Sequence, residues 1–227
     1  NAKDEYGITP LYGAVERGHA EAIRLLLTAR AKVNIKTTHQ SESLDSRWPA
    51  GATPLHWAAA CSDEFASLRL LLAAGADVKA ESNFGTTALH WAAFKGRAEA
   101  IRLLLAAGAD VNVRTTVRYE FEDSPPARVI WAAGTTPLHL AAGRDLAEEA
   151  VRRLLAAGAK VNERNAKSET PLDLAKSDEC RTLLRAAGGK TGAEVDTEKT
   201  ARAAAPVPQE VPATKPPPAP PIAEPGT

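Results

Sequence analysis

The stretch TTALHWAAFKGRAEAIRLLLAAGADVN, residues 86–112, contains the signals for two short helices and a defined end. Thr87 stands where a first helix begins, and its hydroxyl can accept a hydrogen bond from a backbone amide that has no partner inside the helix. Gly96 predicts a turn, after which Leu104 lies on the apolar face of a second helix. Gly108 ends that helix, because glycine adopts the left-handed conformation without steric cost. The stretch therefore predicts a helix–turn–helix unit.

The same pattern recurs along the chain. Five hexapeptides, starting at residues 9, 53, 87, 136 and 170, read TPLYGA, TPLHWA, TALHWA, TPLHLA and TPLDLA. Each is followed by a leucine-rich phrase such as LLLAAGADVN, and the steps between hexapeptides are 44, 34, 49 and 34 residues. Self-similarity of this kind indicates stacked repeats, in which each short helix pair buries its apolar face only against its neighbours.

A Thr-Pro-Leu-His start with a period near 33 residues is typical of ankyrin repeats, and the chain resembles that family from about Asp4 to Gly189. The resemblance implies an all-α solenoid of about five helix–turn–helix repeats, with β-hairpin-like fingers beside a concave groove. It places an ankyrin repeat domain over residues 1–189. The approximate repeats are 4–36, 48–80, 82–114, 131–163 and 165–189, and two fingers are enlarged by insertions at about 37–48 and 115–131.

The end of the chain has a different composition. Proline and alanine dominate residues 190–227, and aromatic residues are missing there. Such a segment cannot bury enough apolar surface to fold, so we expect a disordered, proline-rich tail that acts as a linker. The spacing of Lys215, Pro218 and Pro221 also fits a polyproline ligand for an SH3-type groove, which is the alternative for this tail.

Overall composition excludes several kinds of partner. The 28 basic and 28 acidic residues cancel, so we expect no binding to nucleic acid and no attraction to an anionic membrane. No apolar run approaches the roughly 20 residues that cross a bilayer, and the N-terminus has no signal-peptide layout, so we expect no membrane insertion. The compartment stays open. The opening NAKDEYG and the lack of methionine predict a fragment or a processed product.

The histidines of the hexapeptides are the main candidates for chemistry. His56, His90 and His139 occupy one position in successive repeats, which favours a structural role in fixing each helix start. Stacked equivalents lie about 10 Å apart, too far to share a metal ion. The sequence has no phosphate-binding loop, nucleophile elbow or zinc-ligand spacing. We therefore expect no catalytic, metal or cofactor site.

The two enlarged fingers are related to each other. Both insertions open with TT, and each has a tryptophan, Trp48 or Trp131, five residues before the next hexapeptide. In the longer one, the alternation in RYEFED predicts a hairpin strand with Tyr119 and Phe121 on one face. Aromatic side chains are enriched in interface hot spots, although surface insertions are also tolerated without any function. Whether Trp131 meets a ligand or packs back onto the stack stays open.

The sequence thus predicts a monomeric, non-catalytic scaffold or adaptor that binds a protein partner of unknown identity through its groove and fingers. The alternatives are a regulatory or targeting segment of a larger enzyme, channel or effector, and a purely structural spacer. The candidate contact residues match exposed positions of the family or lie in the insertions: Tyr6, Ile8, Glu16, Arg17, Trp48, Phe84, Phe94, Lys95, Tyr119, Phe121, Trp131 and Arg144.

Overall fold

The computed structural model describes residues 1–38, 49–61, 65–124 and 127–204. Ten helices in these ranges form five consecutive pairs, which confirms the predicted all-α solenoid. The pairs are α1 (Pro10–Glu16) with α2 (Ala20–Thr28), α3 (Pro54–Cys61) with α4 (Ala66–Ala73), α5 (Ala88–Phe94) with α6 (Ala98–Ala106), α7 (Pro137–Ala142) with α8 (Glu148–Ala156), and α9 (Pro171–Leu174) with α10 (Asp178–Ala186).

The core runs along the stack between successive pairs. Each first helix contacts the first helix of the next repeat. Among the second helices, α2 contacts α4, α6 contacts α8 and α8 contacts α10, while Arg69 of α4 pairs with Glu99 of α6. Ala92 and Ala141 are fully buried on the first helices, where their small size lets neighbouring helices approach closely. Ile101 and Leu104 are fully buried on α6. The apolar face of each pair is therefore covered by its neighbours.

The ends of the second helices use a left-handed residue. Gly75, Gly108 and Gly158 have φ values of 79°, 90° and 84° at this position. Arg30 takes the same position in the first repeat, with φ of 57°. Because a side chain in this conformation is strained, the end of α2 costs up to about 1 kcal/mol relative to glycine.

The predicted hairpin in the longer insertion is confirmed. Strand β1 (Tyr119–Ser124) pairs antiparallel with β2 (Ala127–Trp131), and Phe121 lies opposite Val129. An irregularity in the register follows Glu122. Residues 39–48, which form most of the shorter predicted insertion, lie outside the described residues.

The sequence predicts a disordered tail from residue 190 onward, but Gly192–Ala204 form an eleventh helix, α11. Its start carries a capping box. The Thr191 N–H donates to the Glu194 carboxylate at 2.7 Å, and the Glu194 N–H lies 3.3 Å from the Thr191 hydroxyl. The following alanines and charged residues favour a helix, and the proline-rich part starts only at Pro206. The predicted tail beyond residue 204 lies outside the described residues.

Polar contacts join α11 to the last repeats. Arg164 forms a two-point ion pair with Asp196 at 2.5 and 3.0 Å, and Arg185 forms one with Glu194 at 2.7 and 3.0 Å. These pairs lie at the surface, where water screens the attraction, so they orient α11 more than they stabilise it. Among the helices of the described ranges, none is both long and apolar enough to cross a membrane.

Candidate functional site

Each finger is fixed at its base by a side chain of the preceding repeat. In α5, Nδ1 of His90 accepts the N–H of Thr87 at 3.1 Å, while Nε2 lies 3.1 Å from the carbonyl oxygen of Thr135. His56 makes the same contacts in its repeat and reaches the carbonyl of Thr86 at 2.9 Å. Because Nδ1 accepts, Nε2 carries the hydrogen and donates to the carbonyl. Each histidine therefore joins the start of its own helix to the next finger.

Burial keeps these histidines neutral. Loss of hydration lowers the pKa of His56, His90 and His139 from 6.5 to about 4, although each backbone hydrogen bond acts in the opposite direction. Both ring nitrogens are engaged in hydrogen bonds. Over the part of the chain that the structure describes, no group of three side chains is arranged to hold a metal ion. The observed contacts give the histidines a structural role.

The end repeats replace histidine and keep only some of these contacts. The Tyr12 hydroxyl donates to the carbonyl of Ala52 at 2.5 Å, but the buried Thr9 hydroxyl has no hydrogen-bond partner within the described residues. Burial raises the pKa of Tyr12, so its hydroxyl stays protonated and able to donate. In the last repeat, Asp173 accepts the N–H of Thr170 at 2.8 Å and that of Gly192 at 2.8 Å.

The enlarged finger extends from a closed base. The N–H of Thr115 donates to the carbonyl of Thr135 at 3.0 Å, and the N–H of Gly134 donates back to Thr115 at 2.7 Å. The Thr115 hydroxyl adds a bond to the carbonyl of Ala132 at 2.8 Å. Thr37 closes the base of the first enlarged finger through equivalent bonds. Because the stack is joined through this base, the number of residues beyond it can vary without disturbing the helices.

The hairpin of the enlarged finger lies against the aromatic side chains of α5. The ring centroid of Trp131 is 4.9 Å from that of Trp91 and 5.2 Å from that of Phe94. Tyr119 lies 6.1 Å from Trp91 and 4.5 Å from Phe84 of the preceding finger. Aromatic pairs at such separations add about 0.5–1.5 kcal/mol each beyond the area they bury. The hairpin is thus fixed to the middle of the stack.

This packing buries three of the predicted contact residues. Phe94 is only 4% exposed, Tyr119 1% and Trp131 3%. Side chains buried to this degree cannot anchor a partner in this conformation, because their aromatic area is already covered by one another. The side chain of Trp131 therefore packs back onto the stack and does not point toward a ligand.

Two cations lie around Phe94. The Nζ atom of Lys95 is 5.1 Å from the ring centroid, and Cζ of Arg144 is 4.7 Å from it. Both distances are within the range of cation–π attraction. Lys95 and Arg144 are themselves half-buried, so the ends of α5 and α7 keep positive groups partly in contact with solvent.

The remaining candidates are spread along the stack. Ile8 is 37% exposed, Glu16 and Arg17 are exposed, and Tyr6 and Phe84 are half-buried. Tyr6, Ile8, Glu16 and Arg17 belong to the first repeat, whereas Phe84 contacts the hairpin through Tyr119.

Two candidates are not described in full. Trp48 lies outside the described residues, and for Phe121 the structure describes the backbone in β1 but not the side chain. The prediction that their side chains contact a partner therefore stays a prediction.

The outer face of the hairpin holds residues that the sequence reasoning missed. Glu120 and Ile130 pair across the strands, next to the Tyr119–Trp131 pair that faces α5. Because neighbouring residues of a strand point to opposite faces, this pair points away from the stack, and Ile130 is 39% exposed. Val117, just before β1, is 46% exposed.

Comparisons with known proteins identify the repeats. The family description "Ankyrin repeats (3 copies)" matches residues 36–115, and "Ankyrin repeat" matches residues 6–38 and 133–166, together more than half of the chain. Human Ankyrin repeat domain-containing protein 63 is 32% identical over 137 residues, which cover 59% of this chain and 33% of that protein.

Notch proteins form a second group of relatives. Neurogenic locus notch homolog protein 1 of Xenopus laevis is 36% identical over 100 residues, which cover 44% of this chain and 4% of the relative. The mouse protein of the same name gives the same identity and coverage. The chain thus spans about a third or less of the length of these curated relatives.

Proposed function

The chain belongs to the ankyrin repeat family, and from this premise we propose that it is a non-catalytic adaptor that binds a protein partner through the outer face of its hairpin and the neighbouring exposed residues. Ankyrin repeats are generally protein–protein interaction modules, and the family is generally non-catalytic. The specific surface on this chain is our proposal.

The observation that carries the proposal is the burial of Tyr119 and Trp131 against Trp91. A loop without function has no need of such an anchor, whereas a binding element gains from it. A rigid hairpin loses less conformational entropy when a partner binds, so more of the contact energy remains as affinity. The buried aromatic residues therefore hold the hairpin in place, and the solvent-facing residues make the contacts.

The proposed contact surface combines apolar and charged groups. Ile130 and Val117 supply exposed apolar area, while Arg118 and Glu120 form a partly exposed ion pair at 3.2 Å beside them. Apolar contacts surrounded by charged groups are typical of protein interfaces. Two groups of predicted contact residues keep solvent contact: Phe84, Lys95 and Arg144 near the hairpin, and Tyr6, Ile8, Glu16 and Arg17 in the first repeat.

The test asks whether the solvent-facing residues of the hairpin contact a partner or whether the hairpin is only a structural spacer. Partners are captured from cells with the intact chain, with a Val117→Asp, Ile130→Asp double variant, and with a chain in which Asn-Phe-Gly, the tip of the short finger, replaces residues 116–134. We expect both altered chains to keep the helical circular dichroism spectrum and to lose the same partners. Identical partner sets from all three chains would leave the hairpin as a structural spacer and overturn the proposal.

A matched control uses the exposed faces of the second helices. Arg69 and Arg102 both pair with Glu99, at 2.8 and 2.7 Å, on the exposed faces of the second helices. Glu99→Gln removes these solvent-screened surface ion pairs and should leave both the fold and the captured partners unchanged. A loss of partners in this variant would mean that the interface lies on the second helices.

The alternative function is a regulatory or targeting segment of a larger enzyme, channel or effector. The observation that favours it is the small share of the relatives that the chain matches, 4% for the Notch proteins. The full-length reading frame decides between the two functions. We also propose a monomer without affinity for nucleic acid, which sedimentation and a binding assay with mixed DNA and RNA would test.

A further inference from the structure

An asparagine side chain joins the backbones of neighbouring repeats at three junctions of the stack. Its oxygen accepts a backbone N–H of the following repeat, at 2.8, 2.8 and 2.7 Å for the pairs Asn34–Asp77, Asn112–Lys160 and Asn162–Lys190. Its nitrogen donates to the carbonyl of the glycine two residues earlier, at 3.3, 3.3 and 3.0 Å for Gly75, Gly158 and Gly188. We call this two-point contact the carboxamide clamp.

The junction between the second and third repeats has the backbone of the clamp but a different side chain. Lys79 stands where the other repeats have asparagine, and Gly108 and Asp110 are the glycine and the N–H residue that the clamp would join. Over the described ranges, neither the carbonyl of Gly108 nor the N–H of Asp110 takes part in a hydrogen bond. One donor and one acceptor are therefore left at this junction.

The local conformation of this backbone matches that of the first junction. Gly108 has φ of 90°, against 79° for Gly75. The carboxylate of Asp110 accepts the N–H two residues later at 2.8 Å, and that of Asp77 does the same at 2.9 Å. The N–H of Asp110 and the carbonyl of Gly108 are thus arranged like the pair that Asn34 binds.

A pocket of about 140 Å³ lies at this junction. Lys79 and Asp110 line it and are exposed to solvent, while Val78, Ala109 and Val113 add apolar walls. A cavity of roughly 150 Å³ can hold benzene, so an asparagine side chain, which is smaller than benzene, has room here. The pocket therefore combines space, an entrance and two backbone groups that can form hydrogen bonds.

We propose that this pocket binds an asparagine side chain of a protein partner. The carboxamide accepts the N–H of Asp110 and donates to the carbonyl of Gly108, as the chain's own asparagines do at the other junctions. A carboxylate cannot donate to the carbonyl, and an ammonium group cannot accept the N–H, so neither forms both bonds. The site uses none of the solvent-facing hairpin residues and goes beyond the function proposed above.

The first experiment supplies the carboxamide from the chain itself. Lys79→Asn restores the residue type found at Asn34 and Asn112, whereas Lys79→Leu gives a side chain of similar shape without polar atoms. We expect Lys79→Asn to slow hydrogen exchange of the Asp110 amide by at least about threefold, because that N–H gains a hydrogen bond. Lys79→Leu should leave this exchange rate within about twofold of that of the original chain.

The second experiment offers an external carboxamide to the folded, isotope-labelled chain. The probe is N-acetyl-asparagine N-methylamide, and the control is the leucine compound of the same shape, N-acetyl-leucine N-methylamide. Because ligands this small bind weakly, both titrations extend to about 0.1 M. We expect the amide resonance of Asp110 to shift at least about threefold more with the asparagine compound, since only a carboxamide can bond both backbone groups.

Two variants make the titration specific. In Lys79→Asn the preference for the asparagine compound should disappear at Asp110, because the chain's own carboxamide occupies the site. Asn112→Lys removes a clamp at the next junction, and there the amide of Lys160 should become responsive to the asparagine compound.

Three results would overturn the proposal. The first is an equal shift of the Asp110 amide with the asparagine and leucine compounds. The second is a preference for the asparagine compound that persists in Lys79→Asn. The third is unchanged hydrogen exchange of Asp110 in Lys79→Asn, which would mean that this junction cannot form the clamp. All three are measured without a partner and with the hairpin intact, so they are independent of the test of the proposed function.

Discussion

The short finger, residues 80–86, and the enlarged finger, residues 115–135, flank the same helix α5 and share one kind of base. His56 donates to the carbonyl of Thr86 in the first, and His90 donates to that of Thr135 in the second. Their tips differ, because the short finger closes with paired hydroxyls and the enlarged one carries a hairpin packed on α5. The repeat pattern therefore constrains the base of a finger and leaves its tip open to a new element.

The largest expected effect is the loss of stability on acidification, because the base of each finger contains a buried histidine. The pKa of each buried histidine is about 4 in the folded chain against 6.5 in the unfolded chain, so the unfolded chain binds more protons between these values. The free energy of unfolding should be flat above about pH 6.5 and fall by up to about 3 kcal/mol per histidine toward pH 4. Urea unfolding at several pH values measures this, and a flat profile between about pH 6.5 and 4.5 would contradict it.

The two bases should respond equally to loss of their histidine. His56→Ala and His90→Ala should each lower the free energy of unfolding by about 3 kcal/mol, because a buried carbonyl and a threonine N–H lose their partner and a cavity forms. Chemical denaturation compares the two variants. If His90→Ala were more than about 1 kcal/mol worse than His56→Ala, the hairpin would depend on the base more than the shared geometry indicates.

Neighbouring residues of β2 should separate the two faces of the enlarged tip. Trp131→Ala should cost about 3 kcal/mol and speed hydrogen exchange in residues 119–131, because the side chain is 3% exposed and packs on Trp91. Ile130→Ala should stay within about 0.5 kcal/mol, since that side chain is 39% exposed. Similar losses of unfolding free energy in the two variants would contradict the assignment of the inner and outer faces.

The smallest effect distinguishes the glycines of the two fingers. Gly85 and Gly134 both have positive φ, 70° and 76°, so alanine strains either position by about 1 kcal/mol. A Cβ at Gly85 would also lie 2.6 Å from the backbone nitrogen of Thr116, whereas at Gly134 it meets the flexible end of Arg114. Gly85→Ala should therefore be worse than Gly134→Ala by at least about 1 kcal/mol in thermal unfolding. Equal losses would mean that the short finger can shift.

Several features of the fold were predictable because they depend on neighbouring residues. Thr87, Gly96 and Gly108 predicted the start, the turn and the end of one helix pair, and repetition extended the prediction to the stack. Helix α11 was missed even though the TGAE sequence at residues 191–194 is a capping box. The composition of residues 190–227 as a whole hides this local signal, because a capping box involves only four residues.

The hairpin is predictable from neighbouring residues only in part. Alternation in RYEFED predicts an extended strand, and the structure confirms that strand and pairs Tyr119 with Trp131 across the hairpin. Which face turns toward α5 was not predictable, because an aromatic side chain in a strand suits a core as well as an interface. The decision came from Trp91 and Phe94, which offer apolar area on a helix about thirty residues earlier in the chain.

The sequence by itself determined the helix pairs, their number and the sites of insertion, because caps, turns and apolar periodicity act over a few residues and are repeated five times. Only the tertiary structure decided that Trp131 is covered while Ile130 is exposed. Burial depends on which surfaces meet, and those surfaces come from residues far apart in the chain.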